Sequence, residues 1–405
     1  METLLRVAIR NVSRNKWRSA ISAAAIVVGV AGIIFLQGFA GGILNNLVED
    51  AVLNKVGAIQ VHRKGFLDAE TDPLKLDLPD DGSLEKRIRA VPGVTAVTRR
   101  ITFEGMLGNG SVSSMFNATA IDPRTEYAVC PKRRSNVAAG STPLDERSDN
   151  GALLGKQLVQ SLDAKSGSVL TMLSATQVGA SNALDVTVKG YLPSLLIFES
   201  KRVATVPLAF AQELLRMPGR VTEYAIAVDD LSRADEIAAR VREALGPEYD
   251  VAEWRELSPF IRERIGNFRI AFVIVSVILF LLVLTGIVNT MLMNIYERVR
   301  EIGTMLAVGV RRWQVVVLFL CEAIVLGLLG ALAGAALGWG VVFWLGRRGL
   351  TFAAPGADPQ LIRPLVTPAF VGLAVVVAVL AALVAALYPA WRASRMRPVE
   401  ALRAN

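Results

Sequence analysis

Four long stretches of apolar residues limit what this chain can fold into. They cover residues 20–44, 268–293, 315–346 and 369–390, and the only acidic residue within them is Glu322. An α-helix rises about 1.5 Å per residue and the hydrocarbon core of a bilayer is about 30 Å thick, so about 20 apolar residues suffice to cross it. The sequence therefore predicts an integral membrane α-helical protein with four transmembrane helices.

The first stretch has a second interpretation as a signal peptide. The apolar part of a cleavable signal is about 7 to 15 residues long, and residues 20–44 form a longer stretch that begins late in the chain. We therefore predict an uncleaved membrane anchor.

The region between the first two stretches, residues 45–267, has the pattern of a folded domain. A continuous helix is predicted from 253 to 269, and it leads into the second span. Surface loops are predicted at 130–150 and 174–182. Apolar alternation or helical periodicity predicts strands at 57–62, 184–188, 202–206 and 223–228 and helices at 84–91, 208–216 and 233–245. These elements predict a mixed α/β extracytoplasmic domain inserted between helices 1 and 2.

Basic residues beside the apolar stretches predict the orientation. Segments 1–19, 294–314 and 391–405 together hold 13 Lys or Arg and four Glu, whereas residues 45–267 hold 27 basic and 30 acidic residues. Cytoplasmic flanks of membrane spans are enriched in Lys and Arg. Both termini and the 294–314 segment are therefore predicted in the cytoplasm, the large domain in the periplasm and 347–368 in a short outer loop of a multi-pass inner-membrane protein. A positive charge spread over three flanks gives no support to nucleic-acid binding.

The sequence offers little for catalysis or metal binding. Cys130 and Cys321 fall in different predicted compartments, and the single histidine, His62, has no second His or Cys nearby, so it is read as a polar residue at a strand end. The stretch 151–157 (GALLGKQ) is one residue short of a phosphate-binding loop and has Gln157 where Ser or Thr is required. We predict no catalytic residue, no metal site and no cofactor in this chain.

The segment 295–317 (IYERVREIGTMLAVGVRRWQVVV) combines an apolar stripe with charged faces. Its apolar residues recur at spacings of four, three and four, and Gly303 and Gly309 are expected to interrupt or end the helix. The stripe consists of Ile295, Val299, Ile302 and Leu306. The pattern predicts a short amphipathic helix at the cytoplasmic membrane surface, and a solvated linker helix remains an alternative.

This segment resembles the cytoplasmic loop of the FtsX/MacB/LolC-type permease family of ABC transporters. Val310 departs from the family pattern, which has a small residue there. Residues 8–19, 388–403 and, more loosely, 153–158 and 190–191 are also similar to the family. The matching loop residues are Glu297, Arg298, Arg300, Glu301, Ile302, Gly303, Ala307, Gly309, Arg311, Arg312 and Glu322.

The resemblance implies a MacB-like periplasmic domain and a non-catalytic subunit that works with other proteins. The expected partners are a cytoplasmic ABC ATPase dimer that binds ATP and Mg, a second permease chain (identical or different), and a periplasmic carrier or adaptor. The stripe would supply apolar burial in a groove of the ATPase. The residues expected to contact the ATPase are Glu297, Arg298, Arg300, Glu301, Gly303 and Gly309.

The cargo implied by the resemblance depends on the branch of the family. The segment 57–65 (GAIQVHRKG) is similar to the lipoprotein-releasing LolC/LolE-like branch, which favours extraction of a lipoprotein or another amphiphile from the inner membrane. The alternatives are an FtsX-like regulator of a cell-wall hydrolase and a MacB-like efflux permease that works with a periplasmic adaptor.

Two features inside the spans are candidates for helix contacts. Glu322 is expected to pair with an arginine of the loop helix near the cytoplasmic boundary, with a transport role as the alternative. Gly330, Gly334 and Gly338 form two overlapping GxxxG units, which allow close helix packing, static or sliding. The expected matching surface is Ala378, Ala382 and Ala386 of the fourth span.

Overall fold

The computed structural model divides the chain into two compact units. The helical unit contains residues 1–45, 266–351 and 361–405, and the α/β unit contains residues 46–265 and 352–360. The structure describes residues 16–67, 73–138, 140–146, 150–193, 200–257, 259–352 and 360–395. The family-like residues 8–15 and 396–403, and the ends of the predicted 1–19 and 391–405 segments, lie outside this part of the chain.

The helices, in chain order, are α1 (Lys16–Asp50), which leads into a π-helix (Ala51–Val56), α2 (Ser83–Arg89), α3 (Pro123–Val129), α4 (Pro131–Ser135), α5 (Lys156–Ser161), α6 (Leu208–Leu214), α7 (Ala234–Leu245), α8 (Trp254–Leu257), α9 (Pro259–Glu297), α10 (Val299–Ala307), α11 (Arg312–Arg348) and α12 (Pro368–Ser394). The strands are β1 (Ile59–Arg63), β2 (Leu78–Pro79), β3 (Val94–Gly108), β4 (Ser113–Ile121), β5 (Gly151–Gly155), β6 (Val169–Ala175), β7 (Ser181–Leu192), β8 (Val203–Pro207), β9 (Arg220–Val221), β10 (Glu223–Val228), β11 (Tyr249–Glu253), β12 (Leu350–Phe352) and β13 (Gln360–Ile362).

Within the part of the chain that the structure describes, four helices, α1, α9, α11 and α12, are long and apolar enough to cross a membrane. Each contains the whole of one predicted apolar stretch and extends beyond it, α1 and α9 by the largest number of residues. Large apolar side chains of α9, such as Val273, Ile274 and Leu282, are exposed on the chain itself. Such a surface is stable where lipid or protein replaces water.

The glycines of α11 bring it against two other helices. A Cβ atom on Gly334 would lie 2.7 Å from the carbonyl oxygen of Val27, and one on Gly338 would lie 2.9 Å from Ala31 Cα. Gly330 likewise faces Ile26, so the GxxxG face packs on α1. The prediction that it packs on the alanines of the fourth span is wrong. That surface of α12 faces a different glycine, since a Cβ on Gly327 would lie 2.8 Å from Ala382 Cβ.

The α/β unit contains a four-stranded sheet with two helices on one face. Its strand order is β11-β1-β10-β3, and each neighbouring pair is antiparallel. The chain passes through β1, α2 and β3, and later through β10, α7 and β11, which is the split βαβ arrangement. Ile88 of α2 and Ile237 of α7 are fully buried in the core that also contains Ile59 and Ile226.

The segment between β3 and β10 builds a closed barrel. Strand β3 pairs with β10 along its first half and with β4 and β6 along its second half. From β3 the ring continues through β4, β8, β5, β7 and β6 and returns to β3. The two ends of the inserted segment are adjacent, because the Thr222 N–H donates to the Arg100 carbonyl at 3.0 Å.

Most predicted elements of the domain are present, and three predictions need correction. The predicted loop 174–182 is a short turn, since β6 ends at Ala175 and β7 begins at Ser181, and 130–150 contains helix α4 (Pro131–Ser135). Of the helix predicted over 253–269, only Glu253 differs, because it belongs to β11 and pairs with Ile59 in the sheet; α8 (Trp254–Leu257) and α9 (from Pro259) are helical, and residue 258 lies outside the described residues. Proline without an N–H suits a first helical turn.

Candidate functional site

The loop between α9 and α11 is a candidate contact surface. Helix α9 ends at Glu297, α10 begins at Val299, and Arg298 lies between them, so the expected single amphipathic helix is two segments. Ile302 is 0% exposed and packs with Ile295, Val315 and Phe319 of the same unit. The apolar stripe is therefore used within the chain, and the expectation that it would be buried in a partner's groove is wrong.

The opposite face of α10 is exposed and charged. Glu297, Arg300 and Glu301 are exposed, and Val308 at the end of the helix is 86% exposed. Gly303 is buried inside the helix and does not interrupt it. Gly309 ends it as expected, with φ +100°, a conformation that a side chain would strain. Glu297, Arg300, Glu301 and Val308 are called the α10 surface below.

Arg298 links the start of α10 to α11. Its Nη1 lies 3.3 Å from Glu322 Oε2, and its Nε donates to Glu301 Oε2 at 2.9 Å. The predicted pairing of Glu322 with an arginine of the loop segment is confirmed. Because Glu322 is buried, its carboxylate needs such a charged partner.

In the α/β unit, side chains cap the carbonyl groups at the end of the π-helix. The last carbonyls of a helix have no partner within the helix itself. Arg133 Nε donates to Asn54 O at 2.9 Å, Arg100 Nη1 to Lys55 O at 2.9 Å and Gln60 Nε2 to Val56 O at 2.8 Å. The end of the helix that begins as α1 is thus bound by side chains of β1, β3 and α4.

The capping arginines share one buried carboxylate. Arg100 donates from Nε and Nη2 to the two oxygens of Glu126 at 2.9 and 2.7 Å, and Arg133 Nη1 donates to Glu126 at 2.6 Å. Burial alone would raise the pKa of Glu126, but the charges of Arg100 and Arg133 outweigh it and hold that pKa below its usual value. Burial likewise opposes the charge on Arg100, and Glu126 raises the pKa of Arg100 above its ordinary range. Sequence reasoning missed this network, which joins residues from three separate elements. The only local signal was a pair of arginines, Arg99 and Arg100, inside an apolar strand.

Two further residues or segments that the sequence singled out have structural roles. His62 is buried in β1, with Nε2 3.0 Å from Gln60 Oε1 and Nδ1 3.3 Å from Thr222 O, and burial lowers the pKa of its imidazole. The stretch that resembles a phosphate-binding loop is the buried strand β5 followed by α5. A Cβ on Gly155 would lie 2.2 Å from Ser200 O, so no space for a phosphate exists at that turn.

The chain combines helices that are long and apolar enough to cross a membrane with a mixed α/β unit of about 220 residues. These are the features of a membrane protein that carries a large additional domain. The family model described as the MacB-like periplasmic core domain matches residues 19–244, and the one described as FtsX-like permease C-terminal matches residues 273–398. The chain belongs to the FtsX/MacB-type permease family.

Two curated relatives and one solved structure illustrate the similarity. The chain is 33% identical over 205 residues to the macrolide export ATP-binding/permease protein MacB of Hyphomonas neptunium, covering 49% of this chain and 30% of that protein. It is 28% identical over 427 residues to the protein of the same name from Nitrobacter winogradskyi, covering 99% of this chain and 60% of that protein. A crystal structure of the periplasmic region of MacB from Actinobacillus actinomycetemcomitans gives a TM-score of 0.35 at 11% identity, over 51% of this chain and 92% of that one. The chain thus spans at most about three fifths of the length of the two curated relatives.

Proposed function

We propose that the chain is the membrane subunit of an ATP-driven ABC-type exporter and that a separate cytoplasmic ATPase dimer contacts it through the α10 surface. The observation that carries this proposal is the division of faces on α10. Its apolar face packs on the chain's own helices, and its charged face is exposed. A helix held by Arg298 and Glu322 can pass a force to α11 without changing its own shape. The chain itself would neither bind nucleotide nor break a bond.

The route for such a force follows from two helices that cross the unit boundary in the sequence. Helix α1 runs from Lys16 to Asp50 and α9 from Pro259 to Glu297, while the boundaries between the units fall after Asn45 and Ile265. A continuous helix is stiff, so a displacement at one end is carried along it. In this proposal, closure of the ATPase pair moves these helices and, through them, the periplasmic domain of a permease pair in the inner membrane, with both termini in the cytoplasm.

The names of the relatives favour export as the task. Both curated relatives are named for macrolide export, which supports an amphiphilic small molecule as cargo. A periplasmic adaptor as partner rests on the family resemblance alone. The second candidate is lipoprotein extraction, which the segment 57–65 favours by its similarity to the lipoprotein-releasing branch.

A charge reversal on the α10 surface tests the ATPase contact. The double variant Glu297→Lys with Glu301→Lys is compared with Glu213→Lys with Glu243→Lys, which makes the same change of charge at exposed positions of the α/β unit. Each tagged chain is purified from its native membrane, and the co-purified ABC ATPase is measured by mass spectrometry. We expect the amount of co-purified ATPase to fall at least tenfold for the α10 variant and to be unchanged for the control variant. Equal recovery from both would overturn the proposed contact.

A further inference from the structure

The α/β unit contains a cavity of about 800 Å³ at the place where the four-stranded sheet, the barrel and the end of the π-helix meet. Cavities of roughly 300 to 1,000 Å³ are typical of small-molecule sites. Arg100 and Glu223 contribute from the sheet, Asn117, Thr119 and Thr205 from the barrel, and Asn54 to Val56 from the π-helix.

The charge of the cavity wall is positive. Five cationic side chains line it, and three of them have carboxylate partners: Lys55 pairs with Asp50, while Arg100 and Arg133 pair with Glu126. The other two, Lys201 and Arg202, have no ion-pair partner among the residues that the structure describes, and both are exposed. One further acid lines the wall, Glu223, which lies 3.6 Å from Arg100. Two uncompensated cations therefore remain on one side of the cavity.

The wall near these cations also offers polar groups. Lys201 and Arg202 form the turn that leads directly into β8, and Thr205 follows on that strand. Strand β8 runs parallel to β4, where Asn117 is aligned with Val203 and Thr119 with Thr205. Thr205 is 4% exposed and lines the cavity.

We infer that this cavity binds an organic anion, a phosphate or carboxylate carried on a hydroxyl-bearing scaffold of drug size. Lys201 and Arg202 contact the anionic group, and Thr205, Thr119 and Asn117 bind the hydroxyl groups. Apolar contacts from Val203, Leu192 and Leu257 cover the remainder of the ligand. The chemistry is the same for a soluble sugar phosphate and for the headgroup of an anionic phospholipid.

Direct binding to the full chain in a nonionic detergent tests the inference. The probes are glucose 1-phosphate, dihexanoyl phosphatidylglycerol, glucose and dihexanoyl phosphatidylcholine, and affinity is measured by isothermal titration calorimetry. We expect saturable binding of at least one of the two anionic probes and at least tenfold weaker binding of its neutral or zwitterionic counterpart. Preference for the phosphatidylglycerol identifies a lipid headgroup as the source, and preference for glucose 1-phosphate identifies a soluble ligand.

Variants then place the binding in the cavity. Lys201→Ala with Arg202→Ala is expected to weaken binding at least tenfold, and Thr205→Val severalfold. The matched control is Lys165→Ala with Lys189→Ala, which removes two exposed lysines elsewhere on the barrel and should leave affinity unchanged. Absence of saturable binding by either anionic probe, or an equal effect of the two double variants, would overturn the inference. Because Lys201 and Arg202 are exposed, their removal should leave the unfolding temperature of the chain unaltered.

Discussion

Arg298 Nη1 lies 3.3 Å from Glu322 Oε2, so an ion pair joins the residue that precedes α10 to the buried side of α11. Glu322→Gln removes the charge but keeps the shape. Breaking such a pair leaves Arg298 mostly buried without its carboxylate, and we expect a loss of about 1 to 3 kcal/mol, below the roughly 3 to 5 kcal/mol of a fully buried pair. The measurement is the unfolding midpoint of the purified chain in detergent. Arg298→Gln in the Glu322→Gln background should cause little further destabilisation. Fully additive losses of stability from the two substitutions would contradict the coupling between Arg298 and Glu322.

Glu126→Gln should destabilise the α/β unit more strongly. Arg100 is 1% exposed and Glu126 is 0% exposed, and loss of one partner leaves a buried charge, at a cost of about 3 to 5 kcal/mol. Thermal unfolding followed by the circular dichroism of the full chain measures the loss. The matched comparison is Glu236→Gln, which removes an exposed carboxylate paired with Arg240 and should change the midpoint little.

The Glu126 carboxylate also predicts that the stability of the chain depends on pH. The pKa of Glu126 in the folded chain is lower than in the unfolded chain, where it is about 4.3. Its stabilising contribution is therefore fully present above that pH and is lost as the pH falls toward the lower folded value. Unfolding midpoints measured from pH 7 to pH 3 should converge for the wild type and Glu126→Gln as the pH decreases. A difference in unfolding midpoint between the two proteins that stays constant from pH 7 to pH 3 would contradict this prediction.

Close packing of α11 on α1 predicts that Gly334 tolerates no side chain. A Cβ atom there would lie 2.7 Å from Val27 O and 3.1 Å from Val27 Cα, both backbone atoms, so the helices must separate. Gly334→Ala should cost about 1 to 3 kcal/mol. Gly340 lies on the same helix with nothing within 4 Å of a Cβ, so Gly340→Ala is the control and should be neutral or slightly stabilising. Similar unfolding midpoints for the two variants would show that the contact is not as close as described.

Labelling in intact cells tests the orientation. Ser111 is exposed at the turn between β3 and β4, and Val308 is exposed at the end of α10. A membrane-impermeant maleimide should label Ser111→Cys from outside the inner membrane and Val308→Cys only after the membrane is opened. Cys130 is buried, so the remaining native background comes from Cys321 and is measured on the unaltered chain. Labelling of Val308→Cys from outside would reverse the proposed orientation.

The sequence predicted best what depends on many residues at once. A helix such as α12 follows from more than 20 consecutive uncharged, mostly apolar positions, and the strand Glu223–Val228 follows from its Tyr, Ile and Val residues and from Asp229 and Asp230 beside it. The stripe containing Ile302 was recognised, but periodicity shows only that one face is apolar. Whether that face packs on Phe319 of the same chain or on another protein depends on contacts made far along the sequence.

The elements that the sequence did not predict depend on long-range pairing. Glu126 meets Arg100 across 26 residues, and β3 closes the barrel by pairing with β6, about 65 residues later. Neither contact leaves a local pattern, because each residue alone is compatible with several partners. The same holds for Gly334, whose spacing predicted a close helix contact but not that α1 would be the neighbour.

The insertion of the barrel segment between β3 and β10 of the four-stranded sheet has an evolutionary consequence. The inserted segment that forms the barrel begins after Arg100 and ends before Thr222, and these two residues are joined by a backbone hydrogen bond. A tight hairpin between β3 and β10 would therefore suffice to connect the sheet without the barrel. A segment with adjoining ends can be lengthened, exchanged or lost in one genetic event while the strands around it keep their register. Proteins built on this sheet can therefore differ widely in the inserted segment while preserving the four strands that carry it.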